Sequence, residues 1–224
     1  MIHIDREFDK LLGGGLQKGT LTHIYGPPAS GKTNIALIAT YNAALNGKVI
    51  YIDPEGGFST ERLKQIAQEN FEKVLADILL VEPTTFDEQK VAIGKIDDII
   101  SKNLNLVNLV VVDGIAMLYR LQEDKDVREL GRMLAQLLRI SRKYEIPVLM
   151  TNQVYTDIDS NKIIPIGGDI TKYWCKIVIE LGKENNLRYA ILHKHKFVPE
   201  EMKLYFKIID SGIESLKDPG MFKV

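Results

Sequence analysis

Gly26-Pro27-Pro28-Ala29-Ser30-Gly31-Lys32-Thr33 is the stretch from which the rest of the chain can be read. It matches G-x-x-x-x-G-K-[ST], the phosphate-binding loop, at every fixed position. The glycines let the loop curl so that successive backbone N–H groups point at phosphate oxygens. The helix that follows presents its N-terminus to the same charge. Lys32 is expected to reach the β- and γ-phosphates, Thr33 to give its hydroxyl to Mg²⁺, and Asn34 to extend the nucleotide-binding run. Such a loop needs a strand before it and a helix after it. Residues 20–25 read as that strand and residues 32–45 as that helix.

Further strands are read at 49–52, 78–81, 109–112 and 147–151, alternating with helices at 60–69, 86–100 and 127–144. Phe86, Ile93, Ile96 and Ile100 share one helix face, and Val127, Leu130, Leu134, Leu137 and Ser141 step by three or four along another. Leu109-Val110-Val111-Val112 is too apolar to have an exposed face. This order predicts an α/β fold, a P-loop NTPase core with a mostly parallel sheet and helices on both faces. After residue 172 the strands 175–181, 187–193 and 204–209 follow with little helix between them, and Glu184-Asn185-Asn186 reads as a turn. A C-terminal antiparallel extension of the sheet is expected. No linker or repeat interrupts the chain, so one domain over 1–224 is expected.

Composition narrows the function classes. The 224 residues carry 29 basic and 30 acidic side chains, a net charge of −1. That excludes proteins that hold nucleic acid by bulk charge. Hydrophobic content of 45% and charged content of 26% exclude disorder. A single cysteine, Cys175, excludes an internal disulfide and a thiolate zinc cluster, and its apolar neighbours predict a buried thiol. The first seven residues show no secretory leader, and no apolar run reaches 18 residues. A reduced cytoplasmic protein without a membrane span is expected.

Three further positions fall where strands end. Asp113 closes the strand 109–112, where a second magnesium contact is needed, although a strand-ending turn aspartate has the same look. Glu55, in Asp53-Pro54-Glu55-Gly56-Gly57, is placed to polarise the water that attacks the γ-phosphate, or is a solvated turn residue. Asn152-Gln153 follows the strand 147–151, as a γ-phosphate reporter or as a turn amide. His193 and His195 share a strand face, but no cysteine or carboxylate nearby completes a metal set, so a solvated or DNA-facing pair is expected. Residues 123–126 read as a solvated acidic loop.

Together these segments resemble the RecA/RadA recombinase superfamily. The resemblance is carried by Leu11-Leu12-Gly13-Gly14-Gly15, the phosphate loop, Tyr51-Ile52-Asp53-Pro54-Glu55-Gly56-Gly57-Phe58 with Glu61-Arg62-Leu63, residues 110–113, Thr151-Asn152-Gln153-Val154 and Pro165-Ile166-Gly167-Gly168. It covers nearly the whole chain and is greatest for the short archaeal paralogues. It implies a RecA-like core that uses ATP and Mg²⁺, with Glu55, Lys32 and Gln153 as the catalytic set and Arg62 packed on adenine. It also implies that residues 119–129 and 154–168 line a DNA path.

The departures are informative. The helix-hairpin-helix DNA-binding domain and the Phe-x-x-Ala linker strand of full-length recombinases are not found. Lys194 falls where those proteins carry an aspartate that caps a neighbour's ATP. Residues 119–129 hold three cations against four anions, and residues 154–168 hold one against two. Phosphate affinity follows cation count, so tight DNA binding there is not expected. Lys172, Lys176, Arg188, Lys194 and Lys196 form the best basic cluster, as a DNA-contacting edge or as an ordinary charged surface. The expected function is an ATP-binding recombination accessory protein. It would bind single-stranded or branched DNA modestly, hydrolyse ATP weakly, and regulate a RadA-type recombinase or a junction-processing nuclease, with a homo-oligomer allowed. A strand-exchange recombinase and a RecA-like signalling ATPase or autokinase are the alternatives. A GTPase is disfavoured, because Asn161-Lys162-Ile163-Ile164 lacks the guanine-reading aspartate.

Overall fold

The computed structural model describes residues 1–102, 106–157, 163–184 and 186–216. In chain order the first half comprises α1 (Phe8–Leu11), β1 (Leu21–Tyr25), α2 (Lys32–Ala44), β2 (Lys48–Ile52), α3 (Thr60–Ala67), a 3₁₀ turn (Gln68–Asn70), α4 (Phe71–Ala76) and β3 (Ile78–Val81). Then come α5 (Phe86–Lys102), β4 (Val107–Asp113), α6 (Met117–Arg120), α7 (Val127–Tyr144), β5 (Val148–Asn152), β6 (Val154–Thr156) and β7 (Ile163–Pro165). Last are α8 (Asp169–Trp174), β8 (Ile177–Glu184), β9 (Leu187–Lys194), β10 (Lys203–Ile209) and β11 (Gly212–Ser215).

Nine strands form one sheet in the order β11-β10-β9-β8-β1-β5-β4-β2-β3. The six from β8 to β3 are parallel, and β9, β10 and β11 add antiparallel. This is the mostly parallel sheet with an antiparallel extension that the sequence predicts. Alternation along β4 shows why its run is all aliphatic. Leu109 and Val111 pack into a core with α2, while Val110 and Val112 pack into a second core with α5 and α7. A strand buried on both faces has no place for a polar side chain.

The helices differ from the sequence reading in instructive ways. On α7, Leu130, Leu134, Leu137 and Ser141 are buried as the spacing requires, but Val127 is 41% exposed. Asp126 caps this helix by accepting from the Arg128 N–H at 2.9 Å, so Val127 sits in a first turn that overhangs the core. The helix expected over 60–69 stops at Ala67, because Gln68 leaves the helical conformation with a positive φ (49°, ψ −120°). The chain then folds back through α4 and sets Val74 beside Leu63 and Ile66. The strand expected from residue 175 starts at Ile177, because 169–174 form α8 and Cys175, fully buried, is its C-cap. No described helix is long and apolar enough to cross a membrane.

The topology assembles the site. β1, β5, β4 and β2 are neighbours and run parallel, so all four end at one edge. The phosphate loop leaves β1, Gln153 follows β5, Asp113 ends β4 and Glu55 follows β2.

Candidate nucleotide site

The phosphate loop begins beneath a neighbouring strand. A Cβ on Gly26 would lie 2.3 Å from the Leu181 carbonyl oxygen, so no other residue fits there. Lys32 folds over the loop, its ammonium donating to the carbonyls of Gly26 (2.8 Å) and Pro27 (3.0 Å). Burial lowers its pKa, against the pull of the Glu55 and Asp113 carboxylates. The Ser30 hydroxyl is fully buried and has no hydrogen-bond partner among the described residues. A loop of this kind, with a cation and an unpaired hydroxyl turned inward, suits a polyphosphate.

Asp113 is held from two sides. Tyr51 donates its phenol to Oδ2 at 2.8 Å and Thr151 donates to Oδ1 at 2.5 Å. Burial raises the carboxyl's pKa, and the neighbouring Thr151, Tyr51 and Thr33 hydroxyls oppose it. Thr33 and Asp113 thus present adjacent hard oxygens. Glycine at position 57 keeps the space above them open, since a Cβ there would touch Thr33 Oγ1 (3.6 Å) and Asp113 Oδ2 (3.9 Å). This oxygen set fits Mg²⁺.

The turn that carries Glu55 is shaped by Asp53. Its buried carboxylate accepts from the N–H groups of Phe58 (2.7 Å) and Glu55 (3.2 Å). Glu55 then lies across Gly114, whose φ is +108° and whose added Cβ would sit 2.6 Å from the Glu55 Cγ. One side of the Glu55 side chain reaches solvent and the other is backed by protein. That partial burial raises its pKa, while the Gln153 amide, donating to Oε2 at 3.0 Å, lowers it. Gln153 is in turn tied to the β6–β7 hairpin, because its carbonyl accepts from the Ile166 N–H at 3.0 Å. Asn152 reinforces that joint by donating to the Ile166 carbonyl at 2.8 Å.

The structure therefore brings Lys32, Thr33, Glu55, Asp113 and Gln153 to one edge. Arg62, on α3, reaches the same neighbourhood by donating to Asn34 Oδ1 at 2.7 Å. The basic residues do not form one cluster. Lys194 donates to the Lys172 carbonyl at 3.0 Å, and both line a cavity of about 660 Å³ beside Tyr25 and Glu180. Arg188 instead lies on the phosphate loop, donating to the Ala29 carbonyl at 3.2 Å. Lys176 pairs near the start of β1, at the opposite end of the sheet, and Lys196 is exposed. The two histidines diverge. His193 is bonded to Glu180 at 2.9 Å, whereas His195 accepts from the N–H groups of Phe197 and Val198 and faces Gln17. No three described His, Cys, Asp or Glu residues form a metal set. Of the acidic loop, Glu123 and Asp124 are exposed and Asp126 is the α7 cap. The segment 158–162, with Asp159, Asn161 and Lys162, lies outside the described residues, as does Asn185 of the expected turn.

Tyr51, Thr151, Asp53 and Arg188 were not singled out for these roles from sequence. For Tyr51 period-2 alternation gives the α2 face of β2, but its neighbours Val111 and Asp113 are set by the β2–β4 register.

Comparison with known proteins gives concordant results. The family model described as Rad51 matches residues 3–216. A "DNA repair and recombination protein RadB" from Methanosphaera stadtmanae is 46% identical over 222 residues, covering 95% of each chain. The protein of the same description from Thermococcus kodakarensis is 41% identical over 220 residues, covering 95% of this chain and 97% of its own. A solved structure described as the RadB recombinase superposes with a TM-score of 0.84 at 40% identity, over 97% of this chain and all of that one.

Proposed function

The chain belongs to the Rad51 family, with the RecA-like recombinase fold, and from that premise we propose that it is an ATP-binding DNA repair and recombination protein acting as a nucleotide-switched accessory. The observation that carries this reading is the run of contacts Glu55–Gln153–Ile166. It joins the water-activating carboxylate to the hairpin expected on the DNA path.

Each residue has a part. The loop N–H groups and Lys32 hold the triphosphate, and Arg62 packs against the base. Held by Thr33 and Asp113, Mg²⁺ would neutralise phosphate charge. Tyr51 and Thr151 fix the Asp113 carboxylate for that contact. Glu55 takes the proton of the attacking water. Gln153 shares the Glu55 carboxylate, so a γ-phosphate that engages either side chain shifts the base of the β6–β7 hairpin. The output is a change of hairpin position, and DNA or protein affinity follows it.

Charge supports an accessory rather than a strand-exchange protein. Neither loop segment has an excess of cations, and the basic residues are dispersed over the sheet. DNA binding is therefore modest and salt-sensitive. Hydrolysis by this single ATPase core is slow and Mg²⁺-dependent. The partners are a RadA-type recombinase or a junction-processing nuclease in the cytoplasm, with self-association allowed.

The DNA part is tested by fluorescence anisotropy on single-stranded DNA at low salt, with and without a non-hydrolysable ATP analogue. The nucleotide is expected to change the affinity. Replacing Lys194 and Lys196 by Glu is expected to weaken binding by about tenfold. Unchanged affinity in that double variant would move the DNA site to another face.

A further inference from the structure

Every N–H of the Arg62 guanidinium has an acceptor. Nε donates to Asn34 Oδ1 (2.7 Å). One terminal nitrogen donates to Gln65 Oε1 (2.7 Å) and to the Asp210 carbonyl (3.0 Å). The other donates to the carbonyls of Ile209 (2.6 Å) and Gly212 (3.0 Å). A guanidinium has five donors in one plane, and here all five are engaged. Three of the acceptors belong to the turn between β10 and β11, far away in sequence. Asn34 lies in the first turn of α2, immediately after Lys32 and Thr33, so Arg62 stands within a nucleoside's reach of the phosphate loop.

A planar cation saturated around its rim offers a ligand only its faces. Guanidinium faces stack on aromatic rings. Its rim cannot donate to the edge of a base without breaking a bond already made. We propose that the β10–β11 turn is a positioning wall of the nucleotide site, and that it commits Arg62 to hold a purine by its face, so that adenine and guanine triphosphates bind alike. This rests on the phosphate-loop reading given above. Adenine and guanine have π-faces of similar size and differ at their edges. Large discrimination arises only where buried donors and acceptors match one edge.

The test is calorimetric titration of the whole chain with ATP, GTP and inorganic tripolyphosphate, each with Mg²⁺. The wild type is expected to bind ATP and GTP within about tenfold of each other. Arg62→Gln is expected to weaken both by about tenfold and to leave tripolyphosphate, which has no base, unchanged. Gln65→Leu frees one rim donor and is expected to change the ATP-to-GTP ratio, which a merely structural role would leave alone. A preference for either nucleotide beyond about tenfold overturns the proposal, as does an unaltered ratio in Gln65→Leu or full ATP affinity in Arg62→Gln. Tripolyphosphate binding that survives Lys32→Ala indicts the phosphate site itself, a separate failure.

Discussion

Lys32→Ala is expected to lower ATP affinity about a hundredfold, about 2.7 kcal/mol. The ammonium folds over the loop, with two carbonyl partners close by at 2.8 and 3.0 Å. Its pKa is pulled down by burial and up by Glu55 and Asp113. A bound triphosphate adds negative charge on that same side and strengthens the cation. Removing it takes away the cation that faces the β- and γ-phosphates and leaves the loop N–H groups to carry more of their charge. Isothermal titration reads the change. Thermal unfolding without nucleotide separates it from the smaller cost of losing the two carbonyl bonds, about 1 kcal/mol each. Wild-type affinity in the variant would mean that the loop does not hold the phosphates.

Glu55→Gln should leave ATP binding intact and abolish the small turnover that the wild type shows above the Lys32→Ala blank. A glutamine keeps the shape of the side chain lying over Gly114 and can still pair with the Gln153 amide. What disappears is the base. Because partial burial raises the Glu55 pKa, turnover should fall with decreasing pH from a higher pH than an ordinary glutamate gives. Gln153→Ala removes a donor that lowers this pKa, so the acid limb should move higher still. Equal turnover in Glu55→Gln would assign the proton to another group.

Much of this was legible in the sequence, for physical reasons. The phosphate loop is a local motif whose geometry depends on its own glycines and on the strand and helix that flank it. Strands such as β4, buried on both faces, declare themselves by unbroken aliphatic runs. The positions of Glu55, Asp113 and Gln153 follow, because parallel strands end at a common edge. What the sequence hid depends on long-range packing. Nothing near Tyr51 says that its hydroxyl meets Asp113, since the pair forms only when β2 and β4 align. The five acceptors of Arg62 come from three separate segments. The basic residues read as one cluster, yet Lys176, just before β8, and Arg188 and Lys194, at the two ends of β9, lie in different places. Short elements such as α6, α8 and the β6–β7 hairpin lack enough turns or alternations to show a period.

The central claim, a nucleotide switch rather than a DNA-driven motor, is tested most directly by ATP turnover with and without single-stranded DNA, with Lys32→Ala as the blank. The account expects ATP to bind and turnover to stay low, just above the blank and unmoved by DNA. A large DNA-dependent rise would contradict it, because DNA would then complete the active site and the chain would be a strand-exchange recombinase in its own right.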